Sequence, residues 1–187
     1  MGGMGKKKIK CIIFDYDGTL IKRDFSSLLN LVFKKKTEKR ELGEEFIRIL
    51  QENVQKTKDI TIAFKKMFDQ FSIKYTKNML QKCVRKYIMI YKTGKISEKI
   101  KRLLRNLSKN YILVILTNGG KSYKIKELEK NKVANLFTDI ITPKESGYEK
   151  PSEKAFLFVL KKYGIKPHEA VSIGNSYSMD ILPAKKL

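Results

Sequence analysis

One histidine, two cysteines and four prolines are spread over 187 residues, and 19 acidic residues face 41 lysines and arginines. Each shortage excludes something. With so few thiols and imidazoles, a zinc site has almost nothing to be built from. Cys11 and Cys83 stand far apart, each among apolar neighbours, and are expected to be reduced core thiols and not a disulfide. No apolar run approaches the ~20 residues needed to span a bilayer. The N-terminus, Met1 to Gly5 and then Lys6-Lys7-Lys8, has neither the apolar segment nor the cleavage pattern of a signal peptide. Lys6 also stands where a myristoylation signal needs Ser or Thr, so the expected location is the cytosol.

What is present is apolar mass and positive charge. The chain is 42% hydrophobic, with 10 Phe and 9 Tyr, enough for one α/β core with a small appendage and too little for two large domains. The net charge of +22 should attract anions, whether phosphorylated metabolites or nucleic acid. The lysines are spread along nearly the whole chain, however, and a diffuse field is a weaker mark of specific nucleic-acid binding than a stripe on one face.

Residues 9–15 form an apolar run ending in an acid, the pattern of a buried parallel strand. Residues 111–117 repeat it, and shorter runs stand at 139–141 and 170–173. Ile96, Ile100, Leu103, Leu104 and Leu107 recur at helical spacing between the first two, as do Ala155, Phe156, Val159 and Leu160 before the last. Strands alternating with helices predict a doubly wound parallel sheet. Residues 24–92 differ. Apolar stripes at Leu28–Phe33, Leu42–Leu50, Ile60–Phe71 and Met79–Ile88 predict four short helices packed as a bundle, with no proline or strand pattern to interrupt them.

In an open parallel sheet, functional groups gather beyond the carboxyl ends of the strands. Asp15 and Asp17, Thr117 and Asn118, and Asn175 and Asp180 fall at such ends, and Lys150 follows the run at 139–141. Two carboxylates two residues apart can divide the work of phosphoryl transfer. Asp15 can attack phosphorus, and Asp17 can protonate the leaving group and then activate water. Gly18 permits the turn beside them. Thr117 to Gly120 offers a hydroxyl and backbone N–H groups, with Gly119 among them, to a phosphoryl oxygen. Lys150 can neutralise both Asp15 and the transferring group. His168, after Pro167, reads as a surface-loop residue.

The order Asp-x-Asp-Gly-Thr at 15–19, strand-end Thr-Asn at 117–118, Gly-x-x-Lys-Pro at 147–151 and Gly-Asn-x-x-x-x-Asp-Ile at 174–181 resembles the haloacid dehalogenase superfamily. The resemblance covers residues 9–22 and 95–187. It implies a Rossmann-like α/β core (1–22 and 95–187), an inserted all-helical C1 cap (23–94) that selects substrate, Mg²⁺ as cofactor and an aspartyl-phosphate intermediate. It casts Asp15 as nucleophile and metal ligand, and Asp17 as general acid/base and backbone metal ligand. Thr117 and Lys150 would hold phosphate. The fourth motif usually begins Gly-Asp, and here Asn175 offers an amide oxygen in its place, with Asp180 as the remaining acid, acting directly or through water. Family members continue past the position of Leu187 with another strand and helix, so either the protein is unusually short or the sheet is expected to lack an edge element. Because the second aspartate is present, phosphatase action on a small phosphorylated metabolite is favoured over dehalogenation. A phosphomutase, or a catalytically weak module binding nucleic acid or a protein partner, stays compatible with the same residues.

Overall fold

The computed structural model describes residues 8–187, so the N-terminal glycines and the first two lysines of the Lys6-Lys7-Lys8 run, with the signal-peptide and myristoylation readings made on them, lie outside the described residues. Four strands form one parallel sheet: β1 (Cys11–Phe14), β2 (Ile112–Leu116), β3 (Asp139–Ile141) and β4 (Ala170–Ile173), in the order β3-β2-β1-β4. Every crossover carries helix, and the one from β3 to β4 begins with the short α7 (Pro143–Ser146). The sheet is the parallel one that the strand pattern predicted, and the fold is of the Rossmann-like α/β class that the resemblance implied.

Alternation along the strands builds two apolar layers. Ile12, Phe14, Leu113 and Ile115 face one way and meet Leu104 of α5 (Glu98–Leu107) and Leu128 of α6 (Lys121–Lys130). Cys11, Ile13, Val114 and Leu116 face the other way, against Ala155, Phe156, Val159 and Leu160 of α8 (Glu153–Lys162). β1 lies between two strands and is buried at every position, which is why its sequence is continuously apolar. β4 is an edge strand of this sheet, and its Val171 and Ile173 remain 40% and 38% exposed. Both cysteines are buried free thiols, each pushed up to about 11 by burial. His168 is exposed, in a single 3₁₀ turn.

Two compact units result: residues up to Lys22 together with Lys95–Leu187, and Arg23–Gly94. The second is all helical, with α1 (Ser26–Val32), α2 (Lys36–Thr57), α3 (Ile60–Gln70) and α4 (Lys77–Lys92). Its interior holds Leu28, Phe46, Leu50, Phe64, Met67 and Phe68, tied by edge-to-face rings such as Phe33–Phe46 and Phe64–Tyr87. Asp59 caps α3 by accepting from the Thr61 and Ile62 N–H groups, and Thr76 caps α4. One expectation needs correcting: the helices are not all short, because α2 runs for 22 residues. Its first turns are polar all round and only Val54 is apolar after Leu50, so hydrophobic periodicity shows only the middle, Leu42–Leu50.

Asp139 fastens helices from both faces to the start of β3. Lys121 of α6 and the Ile140 N–H donate to its Oδ1 at 3.2 and 2.7 Å, while Lys162 of α8 and the Tyr163 hydroxyl donate to Oδ2 at 2.6 and 3.1 Å. Burial works to raise its pKa, but the bonds from Lys162, Lys121 and the Ile140 N–H outweigh burial and hold it below the usual carboxylate range. A carboxylate with a depressed folded pKa contributes stability that is fully present above the unfolded value, about 4, and is lost as pH falls through the folded value. Asp139→Asn should therefore cost about 1–3 kcal/mol at neutral pH. In urea titrations the gap from wild type should be constant from about pH 8 to 6 and should narrow below about pH 4. A gap unchanged at acid pH would mean that the charge on Asp139 contributes nothing.

Candidate active site

The loop after β1 is tight and turned by Gly18, whose φ of +88° is the left-handed conformation glycine tolerates. Its backbone is closed by the Gly18 N–H donating to the Ile21 carbonyl at 2.8 Å and the Leu20 N–H to the Tyr16 carbonyl at 3.0 Å. Tyr16 is fully buried, and its hydroxyl donates to Glu127 Oε2 at 2.9 Å. An anchored residue between Asp15 and Asp17 fixes where both carboxylates emerge.

Lys150 is 6% exposed, and its ammonium lies 2.7 Å from Asp15 Oδ1 and 2.6 Å from Asp180 Oδ1. One cation thus joins residues that lie at 15, 150 and 180 in the sequence. Burial is the main influence raising the Asp15 pKa, and the Asp180 charge adds to it, while Lys150 opposes both by charge and hydrogen bond. Asp180 is buried too, with Oδ2 accepting from the Ser176 N–H at 3.0 Å. Gly174 is needed there, since a Cβ at 174 would overlap the Asp180 side chain.

The Lys150 loop is set by Asn118. Its Nδ2 donates to the Lys150 carbonyl at 2.9 Å and its Oδ1 accepts from the Lys150 N–H at 2.8 Å. The side chain is thereby engaged in positioning Lys150, which leaves the backbone of this segment as its means of meeting an anion. Thr117 is buried at the end of β2, and its Oγ1 accepts from the Gly119 N–H at 3.3 Å.

Asn175 is exposed and reaches the β1 loop. Thr19 Oγ1 lies 3.1 Å from Asp15 Oδ2 and 3.4 Å from Asn175 Oδ1, so its single proton can be donated to either of these acceptor oxygens. A Cβ on Gly18 would lie 2.6 Å from Asn175 Nδ2, so glycine at 18 also makes room for this approach. Among the described residues no three Asp, Glu, His or Cys side chains gather as a metal cluster. The oxygens that do gather come from Asp15, Asn175 and Thr19, a hard and partly charged set. That chemistry fits Mg²⁺, which takes one or two carboxylates and completes its octahedron with waters and phosphate oxygens.

Two residues here escaped the sequence reading. Thr19 was visible only as part of a motif. Lys124 was one lysine among many, yet it is buried and its ammonium lies 2.6 Å from Asp17 Oδ2. The one available sign was that 124, 127, 128 and 131 form a single helical stripe; three of those four are polar, so a search for apolar stripes passes over it. A groove of about 740 Å³ lies wholly within the helical unit, lined by residues including Lys65, Tyr75 and Arg85, and none of the strand-end residues line it.

Known proteins are similar to this chain in sequence and in fold. A segment of 77 residues is 34% identical to glyceraldehyde 3-phosphate phosphatase of Methanothermobacter thermautotrophicus, covering 41% of this chain and 34% of that protein. The enzyme of the same name from Pyrococcus furiosus is 25% identical over 190 residues, covering 97% of this chain and 78% of the relative. In structure, the magnesium-bound HAD-hydrolase YfnB of Bacillus subtilis superposes with a TM-score of 0.67 at 20% identity, over 96% of this chain and 86% of that one. No helix among the described residues is long and apolar enough to cross a membrane. The profile of the haloacid dehalogenase-like hydrolases matches residues 12–187, and the chain belongs to that family as an enzyme of the phosphatase type.

Proposed function

We propose that the protein hydrolyses a small phosphomonoester with Mg²⁺ as cofactor and Asp15 as nucleophile, through an aspartyl-phosphate intermediate. The observation that carries this reading is the Lys150 ammonium held between Asp15 and Asp180 beyond the ends of a parallel sheet. A buried lysine beside a strand-end carboxylate can balance the charge of an arriving phosphoryl group and then of the group bound to the carboxylate.

In the first half-reaction an Asp15 oxygen bonds to phosphorus as the ester P–O bond breaks, and Asp17 gives a proton to the departing oxygen. In the second, water attacks phosphorus and passes its proton to Asp17. The bond between phosphorus and Asp15 breaks, which frees phosphate and restores the carboxylate. Lys150, the Thr117 hydroxyl and the backbone N–H groups of Asn118 and Gly119 are the donors suited to the phosphoryl oxygens. Asp15, the Asp17 carbonyl and Asn175 would hold Mg²⁺, with Asp180 acting directly or through water. Bound there, the ion supplies neutralisation of phosphoryl charge.

Asp17 also distinguishes this reading from dehalogenation, because an alkoxide leaving group needs an acid and a halide does not. A small phosphorylated metabolite in the cytosol is the substrate we favour, in keeping with the names of the two relatives. To the helical unit, residues 23–94, we give the part of a cap that chooses among substrates.

Asp15→Asn should leave the fold intact and abolish release of phosphate from p-nitrophenyl phosphate and from glyceraldehyde 3-phosphate. Retention of most activity would remove Asp15 from its role. A second expectation concerns the amide in the fourth motif. Asn175→Asp keeps size and adds one negative charge, so the Mg²⁺ concentration giving half-maximal activity should fall, and calorimetric Mg²⁺ affinity should rise in parallel. Asn175→Ala should move both the other way. Identical metal dependence in all three proteins would mean that Asn175 is not a ligand.

A further inference from the structure

Lys124 lies in the second turn of α6, and its side chain is only 3% exposed. Its ammonium sits 2.6 Å from Asp17 Oδ2 and 4.0 Å from the centre of the Tyr16 ring, which forms one wall of its site. Tyr16 is itself fixed through its hydroxyl to Glu127, one turn further along the same helix. Glu127 continues the scaffold, because its carbonyl accepts from Asn131 Nδ2 at 2.8 Å, and Asn131 Oδ1 accepts from the Ile96 N–H at 2.8 Å. Gly119 completes the enclosure. A Cβ there would lie 2.9 Å from Lys124 Cε and 3.0 Å from Nζ, so any side chain at 119 would push the lysine away.

The two carboxylates of the β1 loop are therefore treated differently. Asp15 is held by Lys150, whereas Asp17 is held by a second, separate lysine from another element. A buried ammonium on a packed stem has little freedom to swing, and it restrains the carboxylate it meets. Asp17 is itself 33% exposed, so the carboxyl group is fixed on one side and still open to an arriving substrate.

On the reading of Asp17 as general acid and base, we propose that Lys124 is a positioning residue which aims the Asp17 carboxyl at the leaving-group oxygen. Its contribution is geometric. Proton transfer demands hydrogen-bond reach between acid and leaving oxygen, and a carboxyl free to rotate about χ1 and χ2 spends little time there. The bonds made and broken are those of the first half-reaction, with the proton moving from Asp17 to the departing alkoxide. Lys124 touches neither phosphorus nor the leaving group.

The test is a comparison of leaving groups. Wild type, Lys124→Met, Lys124→Gln, Asp17→Asn and the Asp17→Asn/Lys124→Met double variant are assayed on p-nitrophenyl phosphate and on an alkyl ester, glycerol 3-phosphate. Lys124→Met keeps the stem and removes the charge. It should lower kcat for the alkyl ester by roughly 10–10³-fold, with KM changed little and kcat for the aryl ester far less affected. Lys124→Gln, which keeps a donor, should recover part of the loss, and also serves if the Met variant does not fold. The double variant should be no slower than Asp17→Asn alone, as expected of residues acting as one unit. Equal losses on both esters, or losses that multiply in the double variant, would overturn the inference while leaving the phosphatase reading in place. A wild-type protein inactive on both esters would overturn the phosphatase reading and this inference with it.

Discussion

A part-buried and a buried carboxylate share one ammonium at the end of the central strand, and the rest of the site is arranged around that contact. Asp15 and Asp180 approach Lys150 at 2.7 and 2.6 Å, so two negative charges meet one positive charge where little water reaches. Removing the lysine from such a cluster would leave both carboxylates uncompensated, commonly at a cost of about 3–5 kcal/mol. That penalty makes the loops around it obligatory. Asn118 must grip the Lys150 backbone, Gly174 must lack a side chain, and Ser176 must turn its N–H toward Asp180. The cluster also keeps a residual negative charge, in a protein whose overall charge is +22. A positive global field draws anionic substrates inward, while the local deficit favours a divalent cation beside Asp15. Both serve the proposed chemistry.

Much of the core was legible because buried parallel strands write themselves as continuous apolar runs. β3 and β4 fall on 139–141 and 170–173 as read, and β1 and β2 fall inside their runs, shorter at the ends where pairing stops. The strand-end rule then selected Asp15, Asp17, Thr117, Asn118, Asn175 and Asp180 from a chain with many polar residues. The extent of α2 was not legible, since its early turns have no apolar face to reveal them. Nor was the task of Asn118, which Asn-Gly suggests only as a turn; its engagement with Lys150 joins residues 32 apart and exists only in the folded chain.

Lys124 shows a different limit. In a sequence with 41 basic residues, no single lysine carries information by its identity. Its meaning comes from burial, from Tyr16 beneath it and from the missing side chain at Gly119, none of which has a local sequence pattern. Lys150 was legible for the opposite reason, because Pro151 and the preceding Gly147 place it in a motif. The two lysines divide the β1 loop between them, one for each carboxylate, and this division separates the proposed tasks of bond formation at Asp15 and proton transfer at Asp17.

The central claim is that phosphorus passes through Asp15. It is tested most directly by quenching the protein in acid during turnover of a phosphomonoester with Mg²⁺ and mapping the modified peptide by mass spectrometry. Asp17→Asn serves alongside wild type to slow hydrolysis of the intermediate. The account predicts one phosphoryl group on the peptide containing Asp15, released by hydroxylamine as an acyl phosphate should be. Steady release of phosphate with no such adduct, or an adduct on another residue, would contradict it.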